Sequence, residues 1–116
     1  MARVVVLTGG STPERNVALV GAGQVAAALR SRDHHVVVAD TCRGVLDESG
    51  EASLLGRSVG SAPPSLQELE RLRQEEDLPM LLREACFGSC DFVFLVLHGR
   101  QGEGGGVQAL LELEGL

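Results

Sequence analysis

The sequence predicts an α/β domain built on a short parallel sheet, and three observations carry that reading. Three runs, Val4–Leu7, Val36–Ala39 and Phe92–Leu97, are strand-length and apolar throughout, as strands buried on both faces are. Stretches with helical periodicity separate and follow them. The alternation strand, helix, strand, helix, strand, helix implies parallel strands joined by right-handed crossovers.

Gly9 and Gly10 end the first strand. Ser11-Thr12-Pro13-Glu14 then carries helix-start chemistry: a hydroxyl cap, Pro in the first turn and a carboxylate near the positive end of the helix dipole. That helix is expected to run to about Ser31, with Val17, Val20, Gly21, Gln24, Val25, Ala28 and Leu29 at helical spacings. Asp33-His34 is a turn, and the second strand ends at Asp40. Residues 41–64 are rich in Gly and Ser, and a small hairpin about Asp47-Glu48-Ser49-Gly50 fits them. Pro63-Pro64-Ser65 closes that loop and caps a charged helix with Leu66, Leu69 and Leu72 as a narrow apolar stripe. A second short helix is expected over Leu78–Cys86. After the third strand a last helix is expected over Val107–Leu113. The chain then stops where the next strand would come, so a domain truncated at its C-terminus is expected.

At 116 residues and 44% hydrophobic the chain is one domain, residues 1–116, with enough apolar residues for a packed core. A formal charge of −6 argues against sequence-independent nucleic-acid binding and against a basic membrane-surface helix. All ten basic residues are Arg. Without Lys there is no P-loop lysine and no Schiff-base amine. Cys42, Cys86 and Cys90 suit reduced cytosolic thiols. With only His34, His35 and His98 as nitrogen donors, free thiols are a better reading than a zinc site. With no signal peptide and no bilayer-spanning run, the expectation is a soluble cytoplasmic domain.

Two strand-to-helix junctions carry the chemistry, both just past the carboxyl ends of strands, where open α/β sheets bind ligands. At the first, Ser11-x-x-Glu14 reads most plainly as a capping box. The functional reading is that Glu14 faces the space past the strand and holds a cationic group. At the second, His98-Gly99-Arg100-Gln101-Gly102-Glu103 runs into three glycines and then a helix. Such glycines let backbone amides approach a ligand, and a helix N-terminus favours anions. Adjacent parallel strands would present both loops at one sheet edge, a carboxylate facing a cationic, amide-rich loop. An amino-acid zwitterion has a group for each, as do many small metabolites. Gly21-Ala22-Gly23-Gln24-Val25-Ala26 matches the dinucleotide pattern G-x-G-x-x-A but sits inside the first helix, so close helix–sheet packing explains it better.

The segments "VVVLTGGSTPERNVALVGAGQVAAAL" and "DFVFLVLHGRQGEGGGVQALLELEGL" resemble the N-terminal domain of D-alanine–D-alanine ligases. That family shows Gly-Gly-(Thr/Ser)-x-x-Glu-Arg-x-Val near its start. Later it shows Leu-His-Gly-x-x-Gly-Glu-(Asp)-Gly, then Gln and a Leu-Leu-Glu-Leu helix. The resemblance covers most of the chain, with residues 41–90 matching loosely. It implies a three-layer Rossmann-like (pre-ATP-grasp) domain of an enzyme of peptidoglycan precursor synthesis. In that chemistry ATP and Mg²⁺ activate one D-alanine as an acyl phosphate, which the amine of a second D-alanine attacks. The implied catalytic residues are Glu14, on the ammonium group of the first D-alanine, and His98, beside its carboxylate. Gly99 and Arg100 would be further substrate contacts.

No cofactor is expected on this chain; ATP and Mg²⁺ would belong to the ATP-grasp domains of a full-length enzyme. Those domains and D-alanine are the implied partners, and a homodimer is compatible with the resemblance. Three departures stand out: Asn16 in place of a second acid, Ala18 in place of Ser, and Gly104 in place of Asp. They leave room for a related amino or hydroxy acid. The alternatives are a standalone ligand-binding or interaction module without catalysis, and the N-terminal domain of another ATP-grasp ligase.

Overall fold

The computed structural model describes residues 1–55 and 63–97. Four strands form one sheet: β1 (Arg3–Thr8), β2 (His35–Asp40), β3 (Gly44–Val45) and β4 (Phe92–Val96). Their order across the sheet is β3-β2-β1-β4. β1 lies between β2 and β4 and is parallel to both, with Val6 opposite Val38 on one side and Phe94 on the other. It is the most deeply buried strand, which is what its unbroken aliphatic run requires of a central position.

Alternation along β1 and β2 sends side chains to two cores. Val4, Val6, Val36 and Val38 meet Ala22 and Ala26 of helix α1 (Arg15–Ser31). Val5, Leu7 and Ala39 meet Leu81, Leu82 and Phe87 on the opposite face. The result is three layers, helix on sheet on helix, as expected of a Rossmann-like domain. Leu81 belongs to the four-residue helix α4 (Leu78–Leu81), which follows α2 (Glu48–Leu55) and α3 (Leu66–Glu75), while Phe87 sits in α5 (Ala85–Ser89).

Several expectations are met. α1 ends at Ser31, and Asp33 takes positive φ (66°) in the turn that follows. Ser65 caps α3, its hydroxyl accepting the Glu68 N–H at 3.2 Å. Gly21 and Gly23 lie within α1. A methyl added at Gly21 would sit 3.3 Å from Val96 Cγ1, and one at Gly23 would sit 3.3 Å from Leu55. The glycine pair is a packing device.

Others are corrected. The sheet is mixed, because β3 runs antiparallel to β2. No hairpin forms about Asp47–Gly50. Asp47 instead starts α2, its carboxylate accepting the Gly50 N–H at 2.7 Å and its carbonyl the Glu51 N–H at 2.9 Å. An Asp with Ser and Gly close behind serves a turn and a helix cap equally well, and here the cap wins. The helix expected over Leu78–Cys86 is two short helices, parted where Glu84 adopts an extended ψ of 148°. Leu69 and Leu72 of the α3 stripe are buried, but Leu66 is 85% exposed. The buried face of α1 is Arg15, Asn16, Ala18, Leu19, Ala22 and Ala26, whereas Val17 is exposed. Where the helix packs on β1 and β2, the small residues Ala22 and Ala26 let it lie close on the sheet. The helix expected at Val107–Leu113 lies outside the described residues.

Candidate functional site

The carboxyl ends of β1 and β2 are the chemically densest part of the described chain. β1 passes through Thr8 into Gly9 and Gly10, both at positive φ (100° and 87°), conformations that glycine alone adopts freely. Gly9 is required for a second reason: a methyl there would come within 2.2 Å of Asp40 Oδ1. The turn over residues 9–14 is thus pressed onto the last residue of the neighbouring strand.

Asp40 is fully buried, and so is the partner that neutralises it. The Arg15 guanidinium donates Nη1 to Asp40 Oδ1 at 3.0 Å and Nη2 to Oδ2 at 2.6 Å, a two-pronged pair. Nη1 also donates to the Gly10 carbonyl at 3.1 Å. Asp40 Oδ1 accepts the Cys42 N–H at 2.9 Å. Burial pulls the Arg15 pKa down, but hydrogen bonding and charge from Asp40, with help from Cys42 and Glu76, outweigh it and leave it above its ordinary value. Thr41 adds a second tie: its hydroxyl accepts the Gly10 N–H at 2.9 Å and donates to Glu76 Oε2 at 2.9 Å. Cys42 lies beside the same carboxylate at 3.5 Å. Desolvation chiefly, with Glu76 and Asp40 adding to it, pushes its thiol up to about 12, so it is no nucleophile.

Glu14 emerges from this framework into solvent. The capping-box expectation is corrected here. Glu14 itself occupies the N-cap position of α1 and makes no side-chain cap hydrogen bond. The reason is register: α1 starts at Arg15, so Ser11 lies a turn too early to cap it. Among the described residues no ion pair engages Glu14. An unneutralised carboxylate on a tightly held turn, at the positive end of a 17-residue helix, is left to face whatever lies past the strand ends.

The parallel pairing of β1 with β4, Thr8 opposite Val96, brings the chain to Leu97 at this same edge. His98, Gly99 and Arg100 come next in sequence but lie outside the described residues. Sequence reading named Glu14 as a candidate and did not name Arg15, Asp40 or Thr41. The signals were present: an acid closing a buried strand, and an Arg directly before an apolar helical run. The buried hydroxyls of Thr8 and Thr12 have no hydrogen-bond partner among the described residues and mark the same turn.

The described residues do not fit ATP or Mg²⁺. The acid at the end of β2, where dinucleotide folds hold a ribose, is consumed by Arg15, and the glycine approach above it is filled by that acid. Among the described residues no cluster of three or more His, Cys, Asp or Glu side chains can hold a metal ion. No described helix is long and apolar enough to cross a membrane.

Comparison with known proteins gives this edge its context. The family model for the D-ala D-ala ligase N-terminus matches residues 3–116. The chain is 31% identical over 122 residues to a D-alanine–D-alanine ligase of Pediococcus pentosaceus, covering 96% of this chain and 35% of that protein. It is 35% identical over 120 residues to that of Corynebacterium efficiens, covering 96% and 32%. Against that of Synechococcus sp. it is 31% identical over 113 residues, covering 97% and 25%. The chain therefore spans about a third or less of the length of these curated relatives.

Proposed function

The chain belongs to the D-alanine–D-alanine ligase N-terminal family, and from that premise we propose that it receives the first D-alanine in an ATP-dependent ligase. Such an enzyme joins two D-alanines for peptidoglycan synthesis in the cytoplasm. The observation that supports this most is Glu14: an exposed carboxylate without a capping role, on a turn held rigidly at the carboxyl end of the central strand. Its part is to accept hydrogen bonds from the substrate ammonium. His98, with Gly99 and Arg100, is assigned to the substrate carboxylate. The β1–β4 pairing supports that assignment, because it ends with Val96 beside Thr8, two residues before His98 in sequence.

ATP, Mg²⁺ and the second D-alanine are assigned to the parts of a ligase beyond this chain. Of the departures from the family pattern, Asn16 and Ala18 are buried residues of α1.

The test is turnover. The full-length ligase carrying this sequence should form dipeptide from D-alanine with stoichiometric ATP hydrolysis, and the 116 residues alone should not. Phosphate release by the isolated chain at rates typical of enzymes, about 1 s⁻¹ or more, would overturn the assignment.

A further inference from the structure

Burying a charge pair is a poor way to stabilise a fold, since desolvation of both groups offsets most of their attraction. Arg15 and Asp40 are 4% and 0% exposed, yet they stand at the one turn that carries the exposed Glu14. Their contacts give the pair a different use. Arg15 is the residue after Glu14, and its guanidinium reaches back across the turn to hold the Gly10 carbonyl while gripping Asp40 with both prongs. Thr41 holds the N–H of that same Gly10. The turn is clamped on both sides of one residue, and its far end is fixed by the Arg15 N–H on the Thr12 carbonyl at 3.0 Å and the Ala18 N–H on the Glu14 carbonyl at 3.1 Å. Arg15 is too buried to touch a ligand, and its hydrogen bonds run inward.

We infer that Arg15 and Asp40 are positioning residues that aim the Glu14 carboxylate, and so set affinity for the ammonium group of the first amino-acid substrate. This rests on the reading of Glu14 given above. Lys cannot replace Arg here, because an ammonium is a single point and cannot span both Asp40 oxygens and the Gly10 carbonyl.

The test is a double-mutant cycle in the full-length ligase, with thermal stability followed alongside. Arg15→Lys should raise KM for the first D-alanine at least tenfold while KM for ATP stays within about twofold of wild type. Asp40→Asn, which keeps the shape and an oxygen for the Cys42 N–H, should do the same with a smaller loss of stability. Because KM does not depend on the folded fraction, partial unfolding cannot mimic this result. If Arg15 acts through Glu14, adding Arg15→Lys to Glu14→Gln should raise KM no further than Glu14→Gln does alone.

A folded Arg15→Lys enzyme with wild-type KM, in a series where Glu14→Gln raises it, would overturn the positioning role and leave Glu14 intact. Additive effects would do the same. Failure of both Arg15→Lys and Asp40→Asn to fold would make the pair a structural strut and overturn the inference too. A silent Glu14→Gln would instead remove the reading on which the inference stands.

Discussion

The two ends of the sheet are built on different principles. At the amino end the polar links are long-range in sequence but shallow: the Ala2 N–H reaches His34 Nδ1 at 2.9 Å, and the Arg3 N–H reaches an exposed Asp91 carboxylate. A cavity of about 760 Å³ opens there, lined in part by His35, Cys86, Cys90 and Asp91. At the carboxyl end the chemistry is denser: a buried bidentate ion pair, two glycines at positive φ, two threonine hydroxyls without a partner among the described residues, and a bare carboxylate. The candidate site proposed above lies where buried polar groups hold the backbone of a turn, not at the amino-end cavity.

That contrast breaks most readily by mutation. Asp40→Ala leaves the Arg15 charge buried and unpaired, and should cost about 3–5 kcal/mol of stability. Asp91→Ala at the other end removes an exposed hydrogen bond and should cost about 1 kcal/mol. Urea denaturation of the two variants checks the ratio; equal losses would mean that the carboxyl end is no more tightly built than the amino end. Gly9→Ala comes next. It meets Asp40 Oδ1 at 2.2 Å in a positive-φ conformation, and should cost at least about 1–3 kcal/mol. Gly21→Ala, whose methyl would press on a yielding Val96 side chain at 3.3 Å, gains about 1 kcal/mol of helix propensity in return. Its net change should stay within about 1 kcal/mol.

The same contrast is sharpened by the thiols. Cys86 and Cys90 flank the amino-end cavity and are partly exposed, while Cys42 is buried with Leu69 and Leu72 just after β2. Burial raises all three, Cys42 to about 12. Alkylation of the native chain at pH 8 should modify Cys86 and Cys90 well before Cys42, and mass mapping of labelled peptides will show the order. The pH dependence has a definite sign. With the folded thiol of Cys42 raised above its ordinary value of about 9, its protonated form favours the folded state below that pH. The contribution fades as pH climbs toward about 12. Cys42→Ala should therefore flatten the alkaline fall in stability over that interval.

Much of this fold is legible in residue order. Val4–Leu7 and Val36–Ala39 could only be central strands, and the structure extends each by one residue at either end. The Gly21-Ala22-Gly23 run was separable from a nucleotide motif because it lies too far past its strand. What escaped reading was the helix register at Glu14. Ser11, Thr12 and Pro13 all carry start signals, and the choice of Arg15 as first helical residue is made by a contact 25 positions away in sequence. A capping box is a local pattern, whereas the Arg15–Asp40 pair is tertiary and overrides it. The region after Asp40 was opaque for a related reason: Asp47 serves turn and helix cap alike, and β3 is only two residues long. Of the candidate site, sequence reading named Glu14; the framework that holds it left only weak signals, Asp40 closing a buried strand and Arg15 opening an apolar helical run.

The most direct test of the central claim is Glu14→Gln in the full-length ligase, read by both thermal stability and the kinetics of the first D-alanine. Glu14 makes no side-chain cap bond, so stability should change by less than about 0.5 kcal/mol. A charge-assisted bond to an ammonium in a closed cleft is worth about 1.5–3 kcal/mol, so KM for the first D-alanine should rise by roughly tenfold to more than a hundredfold. A drop in melting temperature with normal D-alanine kinetics would contradict the account and return Glu14 to the helix end as a structural residue.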